Sequence, residues 1–112
     1  MSTKSSSKSR NPPRNRPVSP PHLAKPEADL WNSIVTEFTF EDPASLALLA
    51  SALESHGRAR RCRDSIDKVG ELVRDRFGQA KPHPLLAAER DARSAFLTAM
   101  RLLNLDIAGS GS

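Results

Sequence analysis

Lys81-Pro82-His83-Pro84-Leu85-Leu86, running into Glu89-Arg90-Asp91-Ala92-Arg93, is the stretch whose reading decides the fold. The two prolines force the residues before them into extended backbone, because the pyrrolidine ring clashes with an α-conformation at the preceding position. Pro84 then suits the first turn of a helix, where a missing N–H costs nothing. From Leu85 to Leu103 the chain reads as one long helix. Leu85, Ala88, Ala92, Phe96, Ala99 and Leu103 recur on one face of a 3.6-residue period, and Leu86, Leu97 and Met100 widen the stripe. That arc is broader than a single packing partner in a three-helix unit would use. Phe96, Leu97, Met100 and Leu103 are therefore expected to serve a homo-oligomer interface.

Upstream of the bracket, Asp42-Pro43 is a helix start: a side-chain acceptor at the N-cap, then proline at the first helical position. Leu46, Leu49, Leu53, Cys62, Ile66 and Val69 give the following segment an apolar seam ending near Lys68 and Gly70. Gly57 weakens that helix by roughly 1 kcal/mol relative to alanine and marks where a bend or break is expected. Leu72 to Phe77 reads either as one strand of a small hairpin turning near Gly78 or as an extended connector, and the hairpin is preferred. An earlier helix is predicted from Pro26 to about Phe38, with Leu30, Trp31, Ile34 and Phe38 on one face and Trp31 as its core anchor. Glu27 and Asp29 fall in its first turn, where the helix dipole favours acids. The expected fold class is all-α: three principal helices, a short irregular or hairpin insertion, and a disordered basic N-terminal arm.

The 112 residues make one domain at most. Residues 1–25 contain Lys4, Lys8, Arg10, Arg14, Arg16 and Lys25 with no acid, whereas residues 26–112 hold 11 basic and 13 acidic residues. The overall charge of +4 therefore lives in the N-terminal segment. A basic arm on a mildly acidic body points to a polyanionic partner, the plain alternative being a tail that only aids solubility. Residues 1–23 have the serine- and proline-rich composition of disorder, residues 24–106 are expected to fold, and the Gly/Ser-rich end over 107–112 is expected to be a flexible tail. The single Cys62 excludes an internal disulfide and suits a reducing compartment. No apolar run approaches the roughly 18 residues of a membrane span, so no membrane partner is expected. A folded part this small buries only around 60% of its unfolded surface, which favours completing the core by oligomerisation.

The basic cluster Arg58, Arg60, Arg61 and Arg63 reads either as a phosphate-gripping stripe or as a solvated, ion-paired face. At i,i+4 spacing Glu54 reaches Arg58, Asp64 reaches Arg60 and Lys68, and Asp67 reaches Arg63, which leaves Arg61 unpaired. Glu89 and Arg93 pair likewise and leave Arg90 free. His83 is expected to cap or pack against the last helix. The histidines and Cys62 show no metal-ligand spacing, no G-x-x-x-x-G-K-[ST] phosphate loop is present, and no compact acidic cluster stands out. No enzyme activity and no cofactor are expected.

The pattern from Lys81 to Asp106, preceded by Pro20-Pro21-His22-Leu23 and Ala28-Asp29-Leu30-Trp31, resembles phage terminase small subunits over roughly residues 20–106. The resemblance implies a non-catalytic component of a viral DNA-packaging motor. It would recognise double-stranded viral DNA, assemble as a homo-oligomeric ring in the bacterial host cytoplasm, and hand DNA to a terminase large subunit carrying the ATPase and nuclease. Lys4, Lys8, Arg10, Arg14, Arg16, Lys25 and Arg61 are the expected DNA-binding residues. The chain stops soon after Asp106, where such proteins often continue, so the docking site for the large subunit is left open. The competing class is a small helical adaptor or regulator binding DNA non-specifically, and an enzyme such as a nuclease is a distant third.

Overall fold

The computed structural model describes residues 16–104; the expected arm residues Lys4, Lys8, Arg10 and Arg14 and the expected tail over 107–112 lie outside them. Three helices and one hairpin follow in order: α1 (Lys25–Glu37), α2 (Pro43–Val69), β1 (Leu72–Arg74), β2 (Ala80–Pro82) and α3 (Leu86–Leu102). The chain is thus mostly helical but not purely all-α, because the segment after Gly70 closes into a two-stranded antiparallel sheet. Its register pairs Leu72 with Pro82, Val73 with Lys81 and Arg74 with Ala80.

Local chemistry explains most boundaries. Asp42 caps α2 by accepting from the Ser45 amide at 2.9 Å, and Pro43 follows at the start of the helix. Ser45's amide and hydroxyl together hold the Asp42 carboxyl below its ordinary range. Gly70 ends α2 with φ +105°, a conformation that side-chain-bearing residues rarely adopt, and its N–H returns to the Ile66 carbonyl. α3 begins at Leu86, two residues after Pro84, because Pro84 and Leu85 form a turn first. His83 organises that turn as expected: its ring Nδ1 accepts from the Leu85 amide at 3.0 Å, and its carbonyl accepts from Leu86.

α2 packs along α3, and α1 packs across the N-terminal half of α2. Trp31, Ile34 and Val35 meet Leu49, Ala52 and Leu53, with Ala99 and Met100 closing the third side. Burying each of the larger side chains here contributes about 1.5–3 kcal/mol. Further along, Cys62 and Ile66 of α2 and Ala92 of α3 are buried toward the hairpin. The Trp31 indole N–H donates to the Pro17 carbonyl at 3.0 Å, and Leu23 packs on the core. The ordered body therefore reaches back past residue 24 to Pro17. Indole N–H groups need a partner when buried, and here that partner is the backbone entering the body.

α2 runs unbroken through Gly57, against the expectation of a bend or break there. Glycine serves a different purpose at this position. A Cβ there would lie 3.3 Å from the Glu27 carboxyl carbon and 3.1 Å from Arg61 Nη1, so the bare backbone lets α1 approach α2. The Arg61 tip can yield, but Glu27 is held. Gly57→Leu is accordingly expected to destabilise by about 1–3 kcal/mol through overpacking, despite improving helix propensity. Chemical denaturation of the two proteins checks this.

Candidate nucleic-acid interface

Two acids are buried in the body, Glu27 and Glu89, and the first ties α1 to α2. Glu27 is 1% exposed, placed by the first turn of α1 against the middle of α2. Arg60 clamps it with both prongs, Nε donating to Oε2 at 2.9 Å and Nη2 to Oε1 at 2.8 Å. His56, one turn earlier on α2, places Nδ1 2.7 Å from the same Oε2. The bidentate guanidinium, aided by His56, overcomes the effect of burial and lowers the Glu27 pKa from its ordinary 4.5 to about 2. The same contact raises that of Arg60. This cluster is structural: it fastens α1 to α2 and removes Arg60 from any contact with an external anion.

The rest of the basic cluster divides differently from its sequence spacing. Arg63 pairs with Asp67 at 3.2 Å, as the spacing predicts, and also with Glu71 beyond the helix at 3.1 Å. Arg60 lies 4.0 Å from Asp64, and Arg93 pairs with Glu89. Glu54 does not take Arg58; it turns to His22, 2.8 Å away. Arg58 and Arg61 are both exposed and meet no carboxylate among the described residues. They line one hollow of about 220 Å³ together with His22, Leu23 and Ala24 and with the carboxylates Glu27 and Glu54, which Arg60 and His22 respectively engage. His22, Leu23 and Ala24 lie just before α1, on the stretch that runs into the body from Pro17. The hollow therefore presents two guanidinium groups without carboxylate partners beside the segment that precedes α1.

Of the other expected DNA-binding residues, Lys25 pairs with Asp29 across an exposed turn, at 3.1 Å, and Arg16 is also engaged in an interaction of its own. Sequence spacing missed Arg58, because the competing His22–Glu54 contact joins residues 32 apart.

The expected oligomer residues do not form one surface. Met100 is 6% exposed inside the chain's own core, so it is not available to a second copy. Leu103 is half-buried against that core. Phe96 is half-buried with its ring edge-on to His56, the centroids 5.0 Å apart. Leu97 alone of the four is exposed, at 52%. Ala59, Phe96 and Leu97 line a cleft of about 420 Å³ between α2 and α3, and the arginines lining it, Arg60, Arg63 and Arg93, are already paired. Two substitutions separate the roles. Met100→Ala is expected to cost about 2–5 kcal/mol of stability. Leu97→Asp is expected to leave the melting temperature within a few degrees while weakening self-association, read by light scattering.

Among the described residues no three His, Cys, Asp or Glu side chains gather as a metal ion would require, and no helix is long and apolar enough to cross a membrane. No protein-family model matches the chain, and neither a curated protein nor a solved structure does.

Proposed function

We propose that the chain is a terminase small subunit: a non-catalytic component that recognises double-stranded viral DNA and assembles at the start of genome packaging. The observation that carries this reading is the pair of exposed arginines in the hollow on α2. Arg58 and Arg61 are exposed on α2 without carboxylate partners among the described residues, in a chain whose first 15 residues carry Lys4, Lys8, Arg10 and Arg14 and no acid. A chain that needed its arm only for solubility would have no reason to continue that positive charge onto α2. Cations of both kinds suit a phosphate backbone, which supplies one negative charge per about 1.7 Å of duplex.

The resemblance over residues 20–106 supports the assembly part of the reading, and the exposed Leu97 and Leu102 on α3 offer apolar surface to a second copy. The ATPase and nuclease would belong to a large-subunit partner, the small subunit acting in the host cytoplasm. Negative-stain imaging of the purified protein tests the assembly directly. Closed rings are the expected result; a uniform population of monomers at micromolar concentration contradicts the reading and favours a simple DNA-binding adaptor.

A further inference from the structure

A two-stranded hairpin is marginal by itself in water, and the one between α2 and α3 buries little: β2 is exposed along its length and only Val73 of β1 is half-covered. Its tip is nevertheless tied down at every turn. The Asp75 carboxylate accepts from the Phe77 amide at 2.8 Å and from the Gln79 amide at 2.9 Å. The Asp75 N–H donates to the Gln79 carbonyl, and Gly78, at φ +80°, donates to the Asp75 carbonyl. The Arg74 guanidinium donates to the Gly78 carbonyl, and the Lys81 ammonium lies 3.6 Å from Asp75.

This lacing holds up two side chains that the body does not use. Phe77 is 75% exposed, and the Arg76 guanidinium lies over its ring, 5.1 Å from the centroid. Arg76 meets no carboxylate among the described residues, and residues 74–81 carry Arg74, Arg76 and Lys81 against Asp75 alone. Leaving an aromatic ring in water forgoes burial energy, and fixing it there removes the entropy cost of ordering it later.

We infer that this tip is a second DNA contact, in which Arg76 enters the minor groove beside the phosphates and Phe77 wedges against the base steps. The tip's positive balance selects a polyanion over an apolar protein surface, and an arginine paired with an apolar wedge is the chemistry by which minor-groove proteins kink a duplex. The inference rests on the DNA-binding reading above, but it adds a contact made by the fold rather than by the arm.

The test is fluorescence anisotropy of the full chain on a labelled duplex over a range of salt, with Phe77→Ala and Arg76→Ala. Both residues are exposed, so both variants should melt like the parent. Phe77→Ala is expected to weaken binding about tenfold with the salt dependence unchanged, the size of a lost stacking contact. Arg76→Ala is expected to reduce the slope of log affinity against log salt by about 1. If the parent binds duplex and both variants bind equally well, the tip contact is wrong while the DNA reading stands. If the parent does not bind, the DNA reading fails and the tip with it. Variants that keep DNA affinity but lose self-association by light scattering would make the tip a protein contact and overturn the inference.

Discussion

Glu27→Gln is expected to lower the melting temperature by about 10–20 °C at neutral pH. Glutamine keeps the shape of the side chain but removes the charge that Arg60 and His56 surround. Breaking a buried pair from one side costs about 3–5 kcal/mol; the Arg60 side chain is 31% exposed, so water softens this to about 2–3 kcal/mol. The pH dependence has a definite sign. Glu27 is ionised far below its ordinary range, so the stability it contributes is whole above about pH 4.5 and is lost as the pH falls toward 2. The parent should therefore approach the variant in acid, and the gap between their melting curves at pH 7 should narrow by pH 3. Circular dichroism melts at the two pH values check this. Equal melting temperatures at pH 7 would show that the cluster contributes no net stability.

Removing residues 1–15 is expected to weaken duplex binding about a thousandfold at physiological salt, with about 30-fold more lost on Arg58→Ala with Arg61→Ala. Each phosphate contact contributes about −0.9 to the slope of log affinity against log salt, so the four arm cations supply roughly twice the share of the two arginines. The cut belongs before Arg16. A deletion through residue 25 would take away the Pro17 carbonyl that satisfies Trp31, the His22 contact to Glu54, and the first residue of α1. Loss of DNA binding in that longer deletion would report unfolding as well as lost charge. Salt titrations of the shorter deletion, the double substitution and the parent separate the two basic regions.

Elements governed by neighbours in sequence were legible before the structure. The Pro82-His83-Pro84 bracket, the Asp42 cap, the Gly70 terminus and the stripe on α3 each express a preference acting within a few residues, and each appears at or within two residues of its expected place. The stripe from Leu85 to Leu103 is buried or half-buried at all six positions. What sequence could not show is governed by distance through space. Gly57 reads locally as a helix weakener, and only the arrival of Glu27 from α1 explains it as a point of close approach. Glu27 reads as a dipole-stabilising acid in a first turn, because its partners lie 29 and 33 residues away. The same effect hid Arg58: an i,i+4 rule assigns Glu54 to it, and a histidine from before α1 takes that carboxylate instead. The breadth of the α3 stripe suggested an interface, but Met100 is used by α1 and α2 of the same chain.

The most direct test of the account is the affinity of the intact protein for a duplex at 50 and at 200 mM salt. Six cations, Lys4, Lys8, Arg10, Arg14, Arg58 and Arg61, would give a slope of about −5 per chain, so affinity should fall about a thousandfold between the two conditions. Absence of duplex binding at 50 mM salt, or the same affinity at both concentrations, would contradict a phosphate-gripping role for the arm and for the two arginines on α2.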